Sequence, residues 1–198
     1  MNEVHKFWEK QAETYGASDE ATAPDHHYRL LEIQQIISHL AGSSNVLDVG
    51  CGNGFSTIKF RQAKPDAVFT GIDYSPSMIA AAKKAATAAD ADVTFHEGNV
   101  LRIPWPSNQF DCIITERCLI NLNNWDEQKA AILELKRTVT PGGRLILVEN
   151  TIEGLAGLNH IRKQFGLSEI KQRLHNRYIW HVDLNHFVLD NGFTLLCE

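Results

Sequence analysis

From Asn45 onward the chain alternates between short apolar runs and longer segments whose apolar positions recur with helical period. The runs are NVLDVG (45–50), VFTGID (68–73), VTFHEG (93–98), FDCIITE (110–116) and RLILVEN (144–150), each rich in Val, Ile, Leu or Phe. Near-continuous apolar strands separated by helices are the signature of βαβ units, in which both faces of a sheet are covered. The pattern therefore predicts an α/β fold: a doubly wound, mostly parallel sheet with five parallel strands.

Local signals place the helices. Ser75-Pro76 reads as an N-cap followed by proline at the first helical position, ahead of MIAAAKKAA, and Asn124 similarly precedes WDEQKAAILELKRTV. Thr140-Pro141-Gly142-Gly143 reads as a breaker that ends that helix and returns the chain to the sheet through a tight turn. Residues 1–40 hold two helical patterns, about HKFWEKQAETY and HYRLLEIQQIISHL, and form a predicted cap over the sheet edge. The polar GASDEATAPD between them is expected to be mobile. The main domain covers 41–198, and within it 151–185 is less regular and is read as a substrate-side insertion.

Composition narrows the function. The chain has 198 residues, 43% of them hydrophobic, which is enough for one globular core, and a net charge of −5. Without a basic cluster there is no electrostatic footprint for DNA or RNA. No apolar run is long enough for a membrane helix, and MNEVHKFWEKQ has no secretory character, so a cytoplasmic protein is expected. Cys51, Cys112, Cys118 and Cys197 form no CxxC pair, which predicts reduced thiols and no metal site.

The strongest chemical signal is VLDVGCGNGFST. An apolar strand runs directly into Gly50-Cys51-Gly52-Asn53-Gly54 and then into a helix starting near Phe55. Glycines permit positive φ and let a ligand lie against the backbone, while the helix N-terminus presents unpaired N–H groups. The spacing is GxGxG, with Phe55 where the GxGxxG dinucleotide fingerprint has its third glycine, so a nicotinamide-dependent oxidoreductase is disfavoured. At the end of the second strand, the Asp73 carboxylate can accept from both hydroxyls of a ribose. Tyr74 and Met78 can flank an adenine ring, and Asn99 can pair with its edge.

The order VLDVGCGNG, GIDYSPSMI, EGNVLRIPW, FDCIITERCLINL and LKRTVTPGGRLILVEN resembles the class I S-adenosylmethionine-dependent methyltransferases over about residues 40–150. The resemblance implies a Rossmann-like methyltransferase fold with S-adenosyl-L-methionine as cofactor. It assigns cofactor binding to Asp48, Gly50, Gly52 and Gly54, then Asp73, Tyr74 and Met78, then Asn99 and Val100. That family often has Asp where Asn99 stands; an amide both donates and accepts. It ordinarily continues from a sixth strand into an antiparallel seventh. Here FTLLCE resembles strand six and the sequence then stops, which predicts at most six strands, no seventh strand and an exposed or partner-covered edge.

Methyl transfer chiefly requires alignment of reactants and exclusion of water, and a general base only where the acceptor must lose a proton. Candidate acceptor-side residues are Glu116, Arg117, Asn121, Asn150, His160, Arg162, Asn176, Tyr178 and His181, with Glu116, Arg117, His160 and His181 as catalytic candidates and His175 as a further possible base. Arg117 either grips an anionic substrate or makes a surface salt bridge. Arg29 either closes over a carboxylate or is a solvated helix charge. After strand four stands Thr115-Glu116-Arg117-Cys118, not the Asn/Asp-Pro-Pro-aromatic motif of enzymes that methylate exocyclic base amines. The expectation is a methyltransferase for a small soluble, anionic or sugar-derived acceptor, with a homodimer possible. The alternative is a non-catalytic S-adenosylmethionine-binding module acting through a partner.

Overall fold

The computed structural model describes residues 3–16, 18–22, 25–173 and 175–196. Strands β1 (Asn45–Val49), β2 (Val68–Asp73), β3 (Val93–Glu97), β4 (Phe110–Glu116) and β5 (Val139–Val148) form one sheet in the order β3-β2-β1-β4-β5, every neighbouring pair parallel. The helices are α1 (Glu3–Tyr15), α2 (His26–His39), α3 (Phe55–Ala63), α4 (Pro76–Ala88), α5 (Trp125–Thr138), α6 (Ile152–Gln164) and α7 (His181–Asp190).

Successive strand residues point to opposite faces, so each face collects its own core. Leu47, Val49, Ile72 and Ile113 pack with Ala131, Ile132 and Leu135 of α5. Val46, Phe69, Cys112 and Ile114 pack with Ile33 and Ile36 of α2 and Phe60 of α3. Helix starts follow their cap residues: the Ser75 hydroxyl accepts from Met78 N, and the Asn124 side chain accepts from Glu127 N. Both satisfy amides that the first helical turn leaves without partners.

Expectations about chain organisation need correction at three places. Thr140–Gly143 is not a turn between helix and strand, because β5 already begins at Val139. The pairing of β4 with β5 passes from Phe110↔Val139 to Cys112↔Arg144, so the Pro-Gly-Gly segment is absorbed as an irregularity within an edge strand. Residues 151–185 contain the thirteen-residue helix α6, capped by Thr151, and a return segment tied to the loop after β4 by Arg177 N donating to Ile120 O.

At the chain end, residues 193–196 of FTLLCE are in no strand, and 197–198 lie outside the described residues. At the end of α7, Gly192 takes φ 77°, and Phe193 N donates to Val188 O. This turns Phe193 back against the α5 core instead of along β5. Within GASDEATAPD, Asp19–Ala21 form a 3₁₀ turn, while Ala17, Ala23 and Pro24, on which the expected mobility also falls, lie outside the described residues.

Gly71 at the centre of β2 shows how closely a β3 side chain and the glycine loop press on that strand. A Cβ there would stand 2.6 Å from Phe95 Cδ1 and 3.0 Å from Cys51 Sγ. Gly71→Ala is expected to lower the unfolding free energy by about 1–3 kcal/mol through overpacking. Adding Phe95→Leu should recover part of that loss in denaturant titrations; strictly additive losses would show that the ring is not the obstacle.

Candidate functional site

The connections from β1 run to β2 on one side, while β4 pairs with the other side of β1, so the strand order reverses between β1 and β4. Open α/β sheets form a crevice at the carboxyl ends of their strands at such a point. The glycine loop lies there. Gly50 and Cys51 N–H groups both donate to Ile72 O, at 2.8 and 3.0 Å, which folds the loop toward β2. Gly50 and Gly52 have φ of 78° and 54°. A Cβ on Gly50 would meet Cys118 Sγ at 2.7 Å, and one on Gly52 would meet Thr22 Cγ2 at 2.8 Å. Gly54 has a different job: it precedes α3 with φ 76° and faces Phe95 and Ala82, behind the crevice.

Two carboxylates are buried under this loop. Asp73 accepts from Gly52 N at 3.0 Å through one oxygen and from Ser75 N at 2.9 Å through the other. Burial pushes its carboxyl up to about 6 against the pull of those amides. Asp48 accepts from the Thr57 hydroxyl at 2.5 Å, and burial pushes it up to about 7. Beside them, Tyr74 lines the crevice, its hydroxyl buried with no hydrogen-bond partner among the described residues. Burial raises its pKa.

The crevice consists of two adjoining clefts. One, with about 640 Å³ of open space, runs from Asp73 and Met78 past Gly50 and Gly52 to Arg29, Glu116 and Arg117. The other, about 700 Å³, lies along Asn99, Val100 and Leu101. Asp73, Tyr74, Gly50, Cys118 and Asn121 line both.

The N-terminal cap roofs the first cleft. Glu9 of α1 accepts from the Ser75 and Ser77 hydroxyls at 2.5 Å each, and Trp8 Nε1 donates to Asn121 Oδ1 at 3.3 Å. Asn53 Nδ2 holds the chain after α1 through the Gly16 and Ser18 carbonyls. Arg29 is 2% exposed, bonded to the Thr22 and Ser56 hydroxyls and stacked on Phe55. It is therefore not a solvated helix charge. Trp8, Glu9, Thr22 and Ser56 carried no signal in the sequence, because their value depends on a helix pair folding back over the sheet.

The acceptor-side candidates separate. Glu116, Arg117 and Asn121 line the first cleft. Arg117, at φ 52°, is neither a free anion grip nor a surface pair: its guanidinium bridges Glu32 of α2 and Glu116 of β4. The neighbouring carboxylates raise its pKa although burial opposes this. His160, Arg162 and His181 do not line either cleft. They bond Gln164, the Ser168 carbonyl and Asn185, respectively, on α6, after it and on α7. Asn150 meets the Tyr178 hydroxyl at 3.3 Å, and the Asn176 carbonyl accepts from Gln172, also away from both clefts. His175 instead stacks on Phe7 at 4.3 Å and approaches Trp8 edge-on. Sequence reasoning missed Glu149. Its carboxylate accepts from the N–H groups of Cys118, Leu119 and Ile120, while burial pushes it up to about 7.

Residues 46–143, the span that carries the glycine loop and Asp73, match the family model described as a methyltransferase domain. The chain belongs to the class I S-adenosylmethionine-dependent methyltransferases. Among curated relatives of this methyltransferase, the demethylmenaquinone methyltransferase of Deinococcus radiodurans is 31% identical over 125 residues, 63% of this chain and 50% of that protein. The enzyme of the same name from Listeria monocytogenes serotype 4a is 26% identical over 160 residues, 80% of this chain and 66% of that protein. The chain thus spans half to just under two thirds of these relatives. The fold is shared with magnesium protoporphyrin IX methyltransferase from Synechocystis PCC 6803, solved with bound SAH, at a TM-score of 0.66 and 24% identity, covering 84% of this chain and 74% of that one.

The raised Asp48 pKa has a measurable consequence. The native state holds a proton that the unfolded chain releases near 3.8, so the group's contribution to stability is full below that pH and is lost as pH rises toward about 7. Asp48→Asn removes the dependence. Its unfolding free energy relative to the natural chain is expected to rise between pH 4 and pH 8, by at most about 4 kcal/mol. A difference that stays constant across that range in urea titrations would show that Asp48 titrates as an ordinary carboxylate.

Proposed function

We propose that this chain binds S-adenosylmethionine in the paired clefts and catalyses transfer of its methyl group to a small-molecule acceptor. The observation that carries this reading is the Asp73 carboxylate held 3.0 Å from Gly52 N, beside a loop whose glycines leave the backbone bare. Each Asp73 oxygen accepts one amide and keeps a lone pair for a ribose hydroxyl. The Tyr74 hydroxyl, unpartnered among the described residues, and the open run at Asn99 and Val100 suit the adenosine end, and the buried Arg29 guanidinium suits the amino-acid carboxylate. The residues present therefore fit the cofactor.

When bound, that cofactor supplies a methyl group on a positively charged sulfur. The chain's own work is to receive that charge, orient the reactants and keep water out. The first cleft sets Asp73 and Glu116 against Arg29 and Arg117, with Asp48 keeping its proton up to about 7, so a positive sulfur meets no net positive charge there. Trp8 and α1, bolted through Glu9 and Asn121, exclude solvent from above.

For the acceptor, the engagement of Arg117 by two carboxylates argues against an anionic molecule. The Phe7–Trp8–His175 group beside the roof favours a flat, neutral aromatic ring. The demethylmenaquinone methyltransferase relatives point the same way.

Asp73→Ala is expected to weaken both S-adenosylmethionine and S-adenosylhomocysteine by about 10- to 100-fold, the worth of hydrogen bonds to a charged group. Calorimetric titration measures this, and unchanged affinity would remove Asp73 from the site. Turnover is tested with labelled methyl donor and a panel of phenols and naphthohydroquinones beside anionic and sugar acceptors. Binding without label transfer to any of them would leave only the cofactor half of the proposal standing.

A further inference from the structure

The wall between the two clefts is the loop after β4. Cys118 and Asn121 line both clefts, and Arg117 begins the loop in a left-handed conformation. Its backbone would be costly to hold there unaided, since non-glycine residues populate that region rarely. Among the described residues, three side chains fasten its backbone. Asn121 Nδ2 donates to Arg117 O at 2.6 Å, closing the loop on itself. Gln128 of α5 donates to Leu119 O at 3.1 Å and to Arg177 O at 2.7 Å.

The third fastener comes from the end of β5. The N–H groups of Cys118, Leu119 and Ile120 converge on the Glu149 carboxylate at 3.1, 3.0 and 3.2 Å, the first two on Oε1 and the third on Oε2. Consecutive amides turned the same way form a concavity that favours an anion. Here a side-chain carboxyl from the neighbouring strand fills it, just after the β4–β5 pairing ends at Glu116↔Val148. The loop then passes its position on to the roof, because Asn121 Oδ1 receives Trp8 Nε1.

We propose that Glu149 is a positioning residue for cofactor binding: its carboxylate, seated on three successive amides, fixes the loop that walls both clefts and anchors the roof helix. Glu149 itself lines neither cleft. The inference rests on the cofactor reading given above, but only for its affinity readout.

The test uses the full chain with S-adenosylhomocysteine as probe. Glu149→Ala is expected to weaken its binding by about tenfold or more, because a misplaced wall acts through geometry alone. Sodium formate, whose carboxylate can occupy the vacated amides, should restore affinity to within about threefold of the natural chain while leaving the natural chain's affinity unchanged. Leu135→Ala, a fully buried position in α5 that lines neither cleft, serves as a control for lost stability and should leave affinity within about twofold. In amide exchange, Glu149→Ala should lose protection at Cys118, Leu119 and Ile120 ahead of the sheet.

Binding by Glu149→Ala within about twofold of the natural chain overturns the proposal, as does an equal loss in Leu135→Ala or a failure of formate to rescue. If Glu149→Ala does not fold, Glu149→Gln replaces it, one acceptor oxygen being kept and the other exchanged for a donor that opposes an amide. If the natural chain does not bind S-adenosylhomocysteine, the cofactor reading falls. The positioning role is then decided by amide exchange, and unchanged protection at the three amides overturns it.

Discussion

Two carboxylates held out of water at the carboxyl ends of neighbouring parallel strands are the constraint around which the rest is arranged. Asp48 and Asp73 are each buried; Asp48 accepts from the Thr57 hydroxyl and Asp73 from the Gly52 and Ser75 amides. Burying an unpaired carboxylate is expensive, so the chain around them must supply donors at fixed places. The glycine loop does so by turning its amides toward β2, and α4 does so by starting at Ser75. The consequence is a crevice whose floor is bare backbone.

The cap roofs part of that crevice. Glu9 fastens α1 to the start of α4, Trp8 fastens it to the loop after β4, and Arg29 and Glu32 bring α2 into the same assembly through Ser56 and Arg117. These contacts join elements far apart in sequence. Their polar character matters, because hydrogen-bonded contacts are directional and fix the roof's position over the cleft, where apolar packing alone tolerates sliding.

Much of the architecture could be read before any coordinates. Strands at 45–50, 68–73, 93–98 and 110–116 match β1 to β4 within a residue or so, and the Ser75 and Asn124 caps begin α4 and α5 as their chemistry requires. The Gly-rich bend was legible for the same reason: glycine takes φ of 78° and 54° without strain. Reading failed where a local signal was overruled from a distance. Pro141-Gly142-Gly143 has the composition of a turn, yet β5 pairs with β4 on both sides of it, at Phe110↔Val139 and Cys112↔Arg144. FTLLCE has the composition of a strand, yet Phe193 finds a core on α5 before it finds an edge.

The candidate site divides along the same line. Periodicity, glycine spacing and the acidic residue ending β2 are properties of neighbours along the chain, and the sequence alone determined from them the parallel sheet, its ligand-binding end and the family it resembles. Tertiary structure alone decided which charges meet: that Arg117 is held between Glu32 and Glu116, that Glu149 occupies the amides of Cys118 to Ile120, and that His160 and His181 stand apart from both clefts. The physical reason is range. Helix and strand signals act over a few residues of one chain segment, whereas the partner of a buried charge is chosen by packing among segments whose distance in space no local pattern encodes.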